Sequence, residues 1–223
     1  GRRAIRARVF IDASGDTELV HRMGLPTHKN ETLQPPTMAA IIQGIPELKK
    51  RNHDFRFWDV VFDPKYPEHL PRGFLWEAPV PGADANLRLV FGTRVHGADC
   101  SDADQLTQAE IAGRQQVRQM VQLLKNNFVG GDQVALVALP ACIGIRETRR
   151  AVCLHTLTEE EVLYGKRFPD AIANGSYRVD VHNSHSGGLT FRYLDGKQYD
   201  YMPGQKHTDS RWREPLPVDP TFY

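Results

Sequence analysis

The chain has 223 residues, 40% of them apolar and 25% charged, with a formal net charge of +1. That balance describes a globular protein of one large domain or two small ones, with no bulk field to draw nucleic acid or an anionic membrane surface. No apolar run approaches the roughly 18 residues of a membrane span, and three cysteines without a C-x-x-C pair make no disulfide framework.

The chain starts at Gly1-Arg2-Arg3 and stops at Pro220-Thr-Phe-Tyr223, with neither an initiator methionine nor a signal peptide. The expectation is an internal piece of a longer protein. The compartment stays open, leaning to the cytoplasm. From Ala4 to Ala13 the sequence alternates and then turns apolar at Val9-Phe10-Ile11, which reads as a strand entering a core. Ser14-Gly15-Asp16 breaks it, and Asp16 to Gly24 reads as a short helix with Ser14, Asp16 and Glu18 at its start. Strand, small-residue turn and helix form the first half of an α/β unit.

Thr37 to Gly44 reads as a strand and Pro46 to Asn52 as a short helix. Residues 53–85 are rich in proline and aromatics and read as irregular, with a strand at Phe74 to Val80. Asn86 to Val95 alternates as a further strand. The longest helix is expected from Asp102 to about Asn127, with Val117, Met120, Val121, Leu124 and Phe128 on one face. Its start is marked by a Thr107/Glu110 capping box or by an earlier cap at Asp102 or Asp104. Val134 to Leu139 reads as a buried strand and Ala151 to Leu154 as another. Thr156 to Tyr164 and Phe168 to Ala173 read as helices, and Tyr177 to His182 as a strand. The remainder shows little periodicity.

The chemistry concentrates in Cys142-Ile-Gly-Ile-Arg-Glu-Thr-Arg-Arg150. A guanidinium is a planar fork that holds a carboxylate or phosphate through two N–H groups and stays charged when buried. If this segment is extended, Arg146 and Thr148 share one face and Glu147 and Arg149 the other. The competing reading is structural, an ion pair of Glu147 with Arg149 or Arg150. The turn Ala13-Ser14-Gly15-Asp16 lets backbone approach a phosphate or ribose, although Asp12 and Asp16 suit sugar hydroxyls better than phosphate. His182 and His185, with His155, His96 and Asp180, have no zinc-like spacing, so no metal is expected. His182 remains a candidate for proton transfer, and Cys142 reads as a small packed residue rather than a nucleophile. No G-x-S-x-G, P-loop or G-x-G-x-x-G occurs.

Gly1-Arg-Arg-Ala-Ile-Arg-Ala-Arg-Val-Phe-Ile-Asp-Ala-Ser-Gly-Asp16 resembles the G-R-x-x-I-x-A-x-x-F-I-D-A-T-G-D stretch of the FAD-dependent oxidoreductase family. Gly144 to Arg150 is similar to that family's G-I-R-E-[ST]-R-R block, followed by Leu157-Thr158. Phe168 to Ala173 and Tyr177 to His182 are similar to its F-x-D-x-I-A and Y-P-I-D-I-H stretches. The order and spacing agree over residues 1–182. Ser14 replaces the usual threonine, Thr17 stands where the family often has glycine, and Arg178 where it often has proline. On that resemblance, the family's N-terminal G-x-G-x-x-G and its C-terminal flavin-contacting segment would lie outside residues 1–223.

The resemblance implies an α/β to α+β fold. Residues 1–34 would close a Rossmann-like FAD domain, and 35–223 would form a mixed-sheet substrate domain with the long helix packed on it. It implies FAD as cofactor, with Ala13, Ser14, Gly15 and Asp16 near it, and hydride transfer from a small organic substrate. Arg146 and Arg149 would orient that substrate, Glu147 would fix the guanidinium, and His182 would move a proton. A small molecule is the expected partner, without nucleic acid or membrane, and the oligomeric state is open. These 223 residues alone are expected to be inactive. The alternative from another class is a non-catalytic module that holds an anion through Arg146, Arg149 and Arg150.

Overall fold

The computed structural model describes residues 3–70, 73–175, 178–185, 187–193, 196–201 and 221–222. Its centre is a four-stranded sheet in the order β3-β4-β2-β5, built from Trp76–Pro79, Leu87–Phe91, Ala39–Gln43 and Ala135–Ala138. Ala40 lies opposite Val90, and both are buried with Ile42 on the face that meets the long helix α4, Ala103–Asn127. Ala109, Val117, Met120, Leu123 and Leu124 of α4 are all at most 1% exposed in that core. Each such large side chain removed from water contributes roughly 1.5–3 kcal/mol, so this layer carries most of the stability. Asp102 caps α4 by accepting the Gln105 amide at 2.9 Å. Thr107 lies inside the helix and donates back to the Ala103 carbonyl, so the start is the earlier of the two expected caps.

Two short helices, α2 (Ile45–Arg51) and α3 (Phe57–Val61), close one end of the core through Leu48, Phe57 and Val61. The chain enters α2 at Gly44 with φ +93°, where a Cβ would stand 2.7 Å from the Gln133 carbonyl oxygen. Only glycine satisfies both conditions. A second sheet, β10-β9-β8, is made of Gln198–Tyr201, Leu189–Arg192 and Val179–His182. Its Leu189, Phe191 and Tyr201 form a smaller apolar cluster against Phe74. Two minor ladders join β1 (Thr27–Lys29) to β6 (Arg149–Ala151) and β7 (Asn174–Gly175) to β11 (Thr221–Phe222). Two helices remain, α1 (Glu18–Arg22) and α5 (Glu159–Leu163).

The architecture is therefore mixed α/β with one long helix, and every strand pair among the described residues is antiparallel. Several elements differ from their sequence reading. Residues 4–13 form no strand; Val9, Phe10 and Ile11 are 73%, 56% and 85% exposed and no described strand pairs with them. Alternation marks a segment able to pair, and a strand exists only when a neighbour supplies the ladder. The run 134–139 gives an edge strand rather than a buried one, with Val137 half exposed. Strand β6 begins at Arg149, before the expected Ala151, because its partner Thr27–Lys29 pairs with Arg149 to Ala151.

Phe168 to Ala173 makes a single turn and no helix, with Ile172 99% exposed. Six residues that bury little beyond part of Phe168 do not repay the cost of nucleating a helix. Strands β9 and β10 arise from sequence that looked aperiodic. Tyr177, the expected first residue of β8, lies outside the described residues. Among the described residues no helix is long and apolar enough to cross a membrane.

Candidate functional site

The arginine segment is delivered by three attachments. Ile143 is 2% exposed and sits in the main core, and its amide donates to Glu110 Oε1 of α4 at 2.5 Å. Gly144 exchanges two backbone hydrogen bonds of 2.9 Å with Thr37, forming a single-residue bridge. A Cβ at position 144 would stand 3.1 Å from the Thr37 carbonyl oxygen, which favours glycine for this close approach. Arg146 then returns to the same threonine, its Nε and Nη2 both donating to Thr37 Oγ1 at 3.3 and 3.1 Å. Anchored core residue, bridged glycine and tethered guanidinium fix the arginine at the mouth of β2.

Arg146 lines a cavity of about 570 Å³ between the two larger sheets. Strand alternation puts Asp180 and His182 on one face of β8, opposite Phe191 and Leu189 of β9. The same face carries Arg178, whose guanidinium lies over the Phe191 ring at 4.1 Å. The facing wall holds Phe74, Trp76, Phe91, Thr93 and Arg94, with Trp76 stacked on Phe91 at 4.4 Å between ring centres. Thr93 is fully buried, and its Oγ1 accepts from the Met38 amide at 2.7 Å and donates to the Met38 carbonyl at 3.0 Å.

Arg94 is 3% exposed and donates through Nη1 to the Gly188 carbonyl at 3.1 Å and through Nη2 to His182 Nδ1 at 3.2 Å. A guanidinium only donates, so Nδ1 accepts and the proton of the neutral imidazole sits on Nε2. Nε2 lies 3.4 Å from Asp180 Oδ1, long for a hydrogen bond. Burial, above all, holds His182 below its ordinary pKa, Asp180 opposes this, and Arg146 and Arg94 reinforce it. Burial brings Arg94 down to about 10, with Arg146 adding to the effect and Asp180 opposing it. Arg146 is lowered by burial in the same way. Neither Arg94 nor Arg146 pairs with a carboxylate within 4 Å among the described residues, and Glu77 at the cavity edge is taken by Lys49. The cavity holds more positive charge than its own residues neutralise.

The other arginines of the segment leave the cavity. Arg149 is buried on the opposite side, donating to Glu18 Oε2 and to the Ser101 carbonyl at 3.3 Å each. Arg150 reaches Glu147 at 3.5 Å. Glu147 accepts from Asn30 Nδ2 at 2.6 Å and from the Gln34 amide at 3.0 Å, and it makes no contact with the Arg146 guanidinium among those described. Gln34 in turn accepts the His182 amide through Oε1, so the acid positions the floor of the cavity indirectly. Of the expected catalytic set, Arg146 and His182 come together, while Glu147 and Arg149 stand outside.

The turn at residues 13–16 leans on the same segment: Thr148 donates to Asp16 Oδ1 at 2.5 Å. Asp12 Oδ2 accepts the Val20 amide and Ser14 Oγ accepts the Glu18 amide, so side chains already occupy the start of α1. Ala13, Ser14 and Gly15 are exposed, and a Cβ at Gly15, φ +81°, would meet nothing within 4 Å. Thr17 is left-handed at φ +50°, and its buried Oγ1 has no hydrogen-bond partner among the described residues.

Arg94, Asp180 and Thr37 escaped the sequence reading as one site. Arg94 and His182 are 88 positions apart and meet only because two sheets face each other. The available signal was an arginine at the end of the confident strand Asn86–Val95 and two alternating polar positions, Asp180 and His182. No group of three His, Cys, Asp or Glu forms a metal-type cluster among the described residues.

Fold and site together describe a mixed α/β protein with an electropositive cavity between its two larger sheets. A family profile described as FAD dependent oxidoreductase matches residues 1–204, and the chain belongs to that family. FAD is thus its cofactor and redox chemistry its class. No curated protein and no solved structure matches the chain.

Proposed function

We propose that the intact protein oxidises a small organic substrate by hydride transfer to FAD, and that the cavity between the two sheets binds the substrate. One observation carries this reading: Arg94 and Arg146 share an aromatic-walled cavity with no carboxylate paired to either among the described residues. Desolvated guanidinium groups of like sign call for an anionic ligand. Arg146 presents N–H groups toward it, and Arg94 and His182 set the surrounding charge. FAD supplies the electron acceptor when bound.

Ala13, Ser14 and Gly15 fit the cofactor's hydroxyl-bearing part: they are small, exposed and open above Gly15. They fit its phosphates less well, because Asp12 and Ser14 already satisfy the amides at the start of α1. Asp16 stands between this turn and Thr148, linking the cofactor side to the arginine segment.

The first measurement is the visible spectrum of the intact protein purified without added cofactor. A flavin spectrum that survives gel filtration is expected, and a Gly15→Val variant should lose flavin. Arg146→Lys should then raise KM or lower kcat, since an ammonium cannot reproduce the fork held by Thr37. A Gly15→Val protein with full flavin, or an Arg146→Lys enzyme with unchanged kinetics, removes the corresponding assignment.

A further inference from the structure

Asp180 is the carboxylate among the arginines, and its Oδ1 is buried with no hydrogen bond from any described residue. That oxygen faces His182 Nε2 at 3.4 Å, while the Asp180 side chain as a whole is 26% exposed and lines the cavity, so its carboxylate can accept a hydrogen bond from a ligand there. His182 cannot take that acceptor's place. Its single lone pair, on Nδ1, is held by the permanent cation Arg94, and its other nitrogen already carries a proton toward Asp180. The cavity thus offers a carboxylate acceptor, Asp180, alongside Arg94 and Arg146, which pair with no carboxylate within 4 Å among the described residues.

We propose that the substrate is a small 2-hydroxy carboxylic acid with an apolar body, and that Asp180 accepts the proton of its hydroxyl; this rests on the cavity being the substrate site. The carboxylate lies against Arg146, and the apolar body lies among Phe74, Trp76, Phe91 and Phe191. In the step, the hydrogen on the hydroxyl-bearing carbon leaves with two electrons as hydride to the flavin. The hydroxyl proton passes to the Asp180 carboxylate, and the C–O bond becomes C=O. One substrate is oxidised by two electrons, and one flavin is reduced. An alcohol suits the site better than an ammonium, because Arg94 and Arg146 oppose the attraction of Asp180 for a cation. His182 is a positioning residue here, held by Arg94 at Nδ1 and facing Asp180 through Nε2.

The test uses the FAD-loaded full-length protein, 2-hydroxy-3-phenylpropanoate as substrate probe and the unreactive 3-phenylpropanoate as binding probe. Flavin bleaching without oxygen reads the chemistry, and perturbation of the flavin spectrum by the unreactive acid reads binding. Asp180→Asn should slow bleaching by about 10²–10⁴-fold. It should leave the Kd of 3-phenylpropanoate within a few-fold. Arg146→Lys should weaken that Kd by about ten-fold. Asp180→Glu, which keeps the acid, should bleach faster than Asp180→Asn and guards against a fold defect in the amide variant.

If the Kd of 3-phenylpropanoate ignores Arg146, the cavity is not the substrate site and the underlying reading fails. If binding depends on Arg146 but Asp180→Asn bleaches at the wild-type rate, Asp180 is not the acceptor. Bleaching by phenylalanine, by 2-phenylethanol or by a phosphate ester in preference to the hydroxy acid overturns the substrate class. So does the absence of bleaching alongside intact carboxylate binding.

Discussion

Glu110 on α4 serves two partners at once, accepting the Ile143 amide through Oε1 at 2.5 Å and Arg114 through Oε2 at 3.2 Å. The helix that covers the sheet therefore also clamps the segment that delivers Arg146. The long helix and the arginine cluster are parts of one mechanical unit, although the sequence separates them by a strand and two loops.

Glu110→Ala leaves the half-buried Ile143 amide without an acceptor. A lost partner of this kind costs about 1–3 kcal/mol, so the thermal midpoint should fall by about 2–10 °C. Glu110→Gln keeps a carbonyl oxygen for the amide and should lose much less. Calorimetry of both variants checks this, and an alanine variant as stable as wild type would show that the clamp is idle.

Thr17 holds a left-handed backbone with φ +50°, and its hydroxyl has no partner among the described residues. A residue with a Cβ pays about 1–3 kcal/mol there, while glycine adopts the conformation freely and gives back part of the gain as chain entropy. Thr17→Gly should therefore stabilise the protein by about 1 kcal/mol, read as a rise of about 2–4 °C in the thermal midpoint. An unchanged or lower midpoint would mean that the threonine makes up its strain elsewhere.

His182 is held below its ordinary value by burial and by Arg146 and Arg94, against the pull of Asp180. As pH falls through the unfolded-state value of about 6.5, unfolded chains bind a proton that the folded state resists. Native stability is then lost toward acid, and above that value the histidine is neutral in both states and adds no slope. The stability difference between wild type and His182→Gln should thus shift against the wild type between pH 7.5 and 5.5. Urea midpoints across that window decide it, and a difference independent of pH would contradict the neutral buried imidazole.

The elements set by local rules were legible in the sequence. The stripe Val117, Met120, Val121 and Leu124 marked α4, the alternation from Asn86 marked β4, and the Gly144–Arg150 block pointed to Arg146. Less legible were features decided by a neighbour. Val9-Phe10-Ile11 carries a strand's pattern without a paired strand among the described residues, and β9 and β10 pair through aromatic side chains that give no clean period. The site was half legible for the same reason. Arg146 and His182 stand out by type, whereas Arg94 and Asp180 acquire their meaning only when two sheets bring them within reach of His182. Conversely, Glu147 and Arg149 sit beside Arg146 in sequence, yet the extended backbone turns them to other partners.

Ile143 is buried in the core immediately before Gly144 and three residues before Arg146, and on α4 a Cβ at Gly113 would press within 3.1 Å of Ile143 Cδ1. A change of one methyl group in this packing moves the guanidinium as well as the core. Variants at these interior positions will be felt twice, once as a lower melting point and once as a poorer grip on the ligand. Surveys that sort mutations into stability and activity classes will find that the line between them runs through the middle of this segment.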